Sequence, residues 1–114
     1  MSAQPPRFIA KQGTVLEKLL YLKGSSYFCT PNLKEYIEYF IKFPENVLNL
    51  SVIYDKRCKI ICGYIFKDAL TNVIHFELHP KPNRDSVKHK LAVEYGKLSG
   101  QSTKQIKEIF SNLP

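Results

Sequence analysis

Three runs of apolar, β-branched and aromatic residues fall between residues 47 and 79: VLNLSVIY, KIICGYIF and VIHFELH. Polar breaks at 55–57 and 67–72 separate them, which predicts a three-stranded antiparallel meander. In the first run Leu48, Leu50, Val52 and Tyr54 alternate with Asn49 and Ser51, giving one dry and one mixed face. The second run is apolar on both sides, with Ile60, Cys62, Tyr64 and Phe66 set against Ile61 and Ile65. A strand of that kind is central or covered on both faces. The third puts Ile74, Phe76 and Leu78 on one side and His75, Glu77 and His79 on the other.

Helical spacing flanks the meander. Thr14 and Glu17 form a capping box ahead of Leu16, Leu19, Leu20 and Lys23, with Gly24 as the expected left-handed stop. Thr30-Pro31 opens a second helix whose inner face is Leu33, Tyr36, Ile37, Phe40 and Ile41, and Pro44 closes it. Beyond the breaker Pro80-Lys81-Pro82, Asn83 or Asp85 caps a third helix with Val87, Leu91, Ala92 and Tyr95 inward and an expected end at Gly96. Ser102 and Gln105 make another capping box before Ile106, Ile109, Phe110 and Leu113. The expectation is a single α+β domain over residues 14–114, in the order α-α-β-β-β-α-α. Residues 1–13, with Pro5-Pro6 and no helical period, read as a flexible tail.

Composition narrows the class. A chain of 114 residues that is 44% hydrophobic can bury one core without staples. No apolar run reaches bilayer length, and the first residues lack a signal-peptide core, so a cytoplasmic or nuclear, non-secreted, membrane-free setting is expected. An odd count of three cysteines argues against a disulfide framework. Cys58 and Cys62 on one strand would sit roughly 13 Å apart, where a disulfide needs less than about 7 Å.

Charge adds the main functional hint. Seventeen lysines and arginines face ten acidic groups, and the excess is uneven: +2 over residues 1–54 and +5 over residues 55–114. Lys56, Arg57 and Lys59 crowd the first hairpin turn; Lys81, Arg84, Lys88 and Lys90 surround the start of the third helix. Cations beside the free N–H groups of a helix N-terminus attract phosphate. Lysine outnumbers arginine fourteen to three, which favours backbone contacts over base reading.

Enzyme signals are thin. No serine, cysteine or histidine lies in a nucleophile elbow, and the five glycines form no phosphate loop. His75, Glu77 and His79 supply metal-type ligands in steps of about 7 Å along one strand face. No fourth ligand is marked, so that trio reads first as the wet face of an amphipathic strand. No enzyme activity and no metal or other cofactor is expected.

Over residues 31–98 the order helix, three-stranded meander, helix resembles the plan of double-stranded-RNA-binding domains and of the small Alu-RNA-binding subunits of the signal recognition particle. The former bind RNA through lysines at the start of the last helix, where this chain has PNRDSVKHK without an adjacent lysine pair. Arg84, His89, Leu91, Ala92, Gly96 and Ser99 are also similar to a single-strand-binding motif named for its spaced arginine and histidine, with four intervening residues here rather than three.

Together these readings predict a basic nucleic-acid-binding module, RNA ahead of DNA, that contacts phosphates with little sequence choice. The rival expectation is an adaptor within a hetero- or homo-oligomer, presenting Tyr21, Tyr27, Phe28, Tyr36 and Tyr39 to a protein partner.

Overall fold

The computed structural model describes residues 6–25, 27–28 and 31–112, with backbone alone at 31, 32 and 112. Its elements are β1 (Phe8–Ala10), α1 (Val15–Lys23), α2 (Pro31–Lys42), a 3-10 turn (Pro44–Asn46), β2 (Val47–Asp55), β3 (Ile60–Asp68), β4 (Ile74–Leu78), α3 (Arg84–Ser99) and α4 (Thr103–Asn112). The four strands form one antiparallel sheet in the order β1-β2-β3-β4. The α+β class and the meander are as expected. The strand count is corrected from three to four, because Phe8–Ala10, inside the stretch read as a tail, adds an edge strand to β2.

Helices cover both sheet faces. On one, Leu19 and Leu22 of α1 and Ile37 and Phe40 of α2 pack with Val47, Leu50, Val52, Tyr64 and Phe66. On the other, Val87, Leu91, Ala92 and Tyr95 of α3 and Ile106 and Phe110 of α4 pack with Ile53, Cys62, Ile65 and Leu78. This double cover is why β3 is apolar in both directions. Its backbone is pressed onto α3 at Gly63, where a Cβ would lie 2.9 Å from Val87 Cγ1.

Two irregularities overturn the simple alternation. Between Leu48 and Ser51, β2 carries an extra residue, with Asn49 at φ 59°, and Val47 rather than Leu48 enters the core. Leu48 is left 39% exposed. A second extra residue at Cys62 in β3 puts Cys62 and Ile65 on the α3 side and Tyr64 and Phe66 on the α1–α2 side. A bulge shifts the two-residue phase by one, which separates residues that strict alternation groups together.

The caps follow the side-chain chemistry. Ser102 and Gln105 exchange bonds at 2.8 and 3.2 Å, and Asn83 accepts from the Ser86 N–H at 3.1 Å. At α1 the Thr14 hydroxyl accepts from the Glu17 N–H, but Gly24 stays right-handed (φ −79°) and is no left-handed stop. That role falls to Gly100 (φ 79°), so α3 runs past Gly96 to Ser99. Gly96 is needed for contact instead: a Cβ there would meet the Gln101 carbonyl oxygen at 2.7 Å. Thr30 and Leu113, expected as a cap and a core residue, lie outside the described residues.

Candidate nucleic-acid interface

Antiparallel pairing gathers distant segments at one end of the sheet. The β2–β3 turn at residues 56–59 lies there. Gly63 pairs with Leu78, and the His79 N–H donates to the Cys62 carbonyl (2.9 Å), so β4 delivers Lys81 and the start of α3 to the same end. Arg7 arrives from the other side, since Phe8 pairs with Asp55 and the Lys56 N–H donates to the Arg7 carbonyl.

Asp55 shapes the turn. Its side chain is 0% exposed and accepts from the Arg57 and Cys58 N–H groups at 2.9 and 3.2 Å. Arg7 closes on it with two bonds, Nε to Oδ1 at 3.0 Å and Nη2 to Oδ2 at 2.9 Å. The Arg7 guanidinium, joined by the backbone donors, holds the Asp55 carboxyl down at about 2. The one carboxylate in the turn is thereby neutralised, and Lys56, Arg57 and Lys59 stay exposed.

Lys81 and Arg84 are exposed beside the N-terminus of α3, as expected. Lys88 is half-buried and turned toward α4, in a hollow of about 300 Å³ with Asp85, Lys107 and Phe110. Lys90 departs from expectation: its ammonium lies 3.1 Å from the Glu94 carboxylate, one helical turn on. That i,i+4 spacing was available in the sequence. None of the other six cations named from the sequence makes an ion pair among the described residues.

The metal-type trio is engaged with separate partners, Tyr36 of α2 for His75 and Tyr27 for His79. His75 Nε2 lies 3.0 Å from the Tyr36 hydroxyl, and the ring stacks on Phe66 at 5.1 Å. Burial lowers its pKa, so the imidazole is held neutral. Glu77 faces the Tyr64 hydroxyl, whose pKa burial pushes up. The His79 ring lies against Tyr27 (4.4 Å), and its Nδ1 accepts from the Lys81 N–H at 3.1 Å. Among the described residues no group of three His, Cys, Asp or Glu is placed to hold a metal. The strand's period was read correctly, and its wet face is partly covered: Glu77 is exposed, while His75 and His79 are half-buried.

The aromatic residues proposed for a protein interface divide. Phe28 is 1% exposed and belongs to the core, which removes it as a docking group, and Tyr36 is half-buried on His75. Tyr21, Tyr27 and Tyr39 are exposed. Two of these, Tyr21 and Tyr27, line a cleft of about 380 Å³ at the basic end, together with Tyr54, Lys11, Lys59 and His79. Sequence reasoning missed this cleft, because Lys11 and its partners carry no shared local pattern. Both described cysteines are free thiols, Cys58 exposed and Cys62 buried, with burial pushing the Cys62 thiol up to about 12.

Among the described residues no helix is long and apolar enough to cross a membrane. No known protein family, curated protein or solved structure matches the chain.

Proposed function

We propose that this chain is a nucleic-acid-binding module, not an enzyme, that grips phosphates with little sequence choice, RNA ahead of DNA. The supporting observation is the concentration of cations from two chain segments at one end of the sheet, with the carboxylate of the hairpin turn, Asp55, already spent on Arg7 and Asp85 the exposed acid beside Arg84. A cluster of this kind raises the local concentration of a polyanion and releases its counterions on contact. RNA is placed ahead of DNA on the helix–meander–helix order alone.

The test is a gel shift or anisotropy titration with single- and double-stranded RNA and DNA from about 50 to 200 mM salt. Binding at the low end that weakens by about 10²–10³-fold at the high end supports the proposal, if as many as six phosphates are neutralised. No binding at about 50 mM salt, or binding indifferent to salt, ends it.

The adaptor reading keeps one specific observation. Tyr39, Phe43, Leu48, Leu70 and Val73 are exposed near the opposite end of the sheet, with the Tyr39 and Phe43 rings in contact at 5.2 Å. Analytical ultracentrifugation separates the two readings: concentration-dependent association without nucleic acid favours the adaptor.

A further inference from the structure

We propose that the cleft between α1 and the hairpin end of β2 and β3 receives one unstacked nucleotide, its base against tyrosine and its phosphate on Lys11 and Lys59. This rests on the nucleic-acid reading and deepens it, by naming a single-stranded nucleotide as the unit bound.

The cleft, at about 380 Å³, falls within the roughly 300–1,000 Å³ span of small-ligand sites. Its position follows from topology. Helix α1 runs back along β2 from Thr14, with Lys18 Nζ on the Leu50 carbonyl (3.0 Å), and ends over the hairpin at Gly24. Leu20 and Tyr21 of α1 are thereby brought to Tyr54 of β2, distant in the chain.

Lys11 reveals the shape of the space. Its ammonium sits 4.6 Å from the Tyr21 ring centre and 4.4 Å from that of Tyr54. Two aromatic faces therefore converge on one gap that a flat ring can enter by displacing the lysine outward. A cationic guest would find the same π-faces attractive, but Lys11 and Lys59 line the gap and no described lining residue is acidic. The electrostatics select an anion with a flat, partly apolar body. A nucleotide meets both demands, and base stacking on tyrosine is indifferent to sequence.

His79 adds a polar edge. Its Nδ1 accepts from the Lys81 N–H, which leaves the ring proton on Nε2 as a donor, by assignment from that bond. A duplex keeps its bases stacked inside and cannot use the cleft, although it can still meet the outer cations.

The experiment titrates the full chain with a short labelled single-stranded oligoadenylate and with a duplex of equal length, at one salt concentration. Wild type is compared with Tyr21→Leu, an exposed position, and with Tyr21→Phe, which keeps the ring. Tyr21→Leu is expected to weaken single-strand binding about 5- to 100-fold and leave the duplex within about two-fold, while Tyr21→Phe retains wild-type binding. Adenosine monophosphate should displace the oligonucleotide at concentrations where inorganic phosphate does not.

Equal loss on both ligands, no loss on either, or equal displacement by phosphate overturns the cleft and leaves the basic end standing as a phosphate surface. If wild type binds neither nucleic acid, the cleft and the parent reading fall together.

Discussion

Arg7→Met tests the link between the edge strand and the basic turn. The substitution keeps an unbranched apolar stem but removes the guanidinium from Asp55, whose side chain is 0% exposed. The two guanidinium bonds are lost, while the Arg57 and Cys58 N–H groups still donate to that carboxylate. The cost falls on Asp55: a buried acceptor that loses partners costs about 1–3 kcal/mol, and water entering past the 35%-exposed Arg7 position keeps the expected cost at pH 7 within that range. Urea unfolding measures it, and hydrogen exchange at Phe8–Ala10 shows whether β1 loosens first.

The pH dependence has a definite sign. Asp55 is held at about 2 in the fold, below its ordinary value of 3.8, so its contribution is complete above about pH 4 and is lost as pH falls toward 2. The gap between wild type and variant should therefore be full at pH 7 and shrink on acidification. A gap below about 0.5 kcal/mol, typical of a bland surface change, or one that is constant with pH, refutes the reasoning.

Three further outcomes are expected. Gly63→Ala forces a Cβ to 2.9 Å from Val87 Cγ1 and 3.3 Å from both the Glu77 carbonyl oxygen and Leu91 Cδ1, and should cost about 1–3 kcal/mol in urea unfolding. His75, whose pKa burial lowers against the opposing pull of Asp68, binds its proton more readily in the unfolded chain, so stability is full above about pH 6.5 and declines below it. His75→Phe should flatten that part of the stability profile. Lys59→Gln should reduce the single-strand slope of log affinity against log salt by about 0.7, whereas Lys90→Gln, already paired to Glu94, should leave it unchanged.

Local chemistry carried much of the fold. Ser102 and Gln105 announce α4 because both halves of their box are side chains three residues apart, and β3 declares its double cover by being apolar on both faces. The edge strand was not legible. Three residues hold no period, and what fixes them is remote: Arg7 on Asp55, and backbone bonds to Val52 and from Lys56. The bulges were hidden for a related reason. Asn49 tolerates a left-handed backbone, but nothing nearby says that it must adopt one. At the site, a meander returns alternate connections to the same end, so the convergence of the first turn and the α3 start was implicit in the strand count. The partners of Lys11 and the cover over His75 depend on how α1 and α2 seat on the sheet, which spacing along the chain does not encode.

The central claim is that Lys56, Arg57, Lys59, Lys81 and Arg84 act as one surface, and the salt slope of RNA binding measures this most directly. For wild type the slope with a single strand should approach about −3.5 if all five are used. Removing one cation from each segment, as in Lys59→Gln with Arg84→Gln, should bring it to about −2. A wild-type slope near zero, or a double variant that binds RNA with unaltered salt response, would contradict the account.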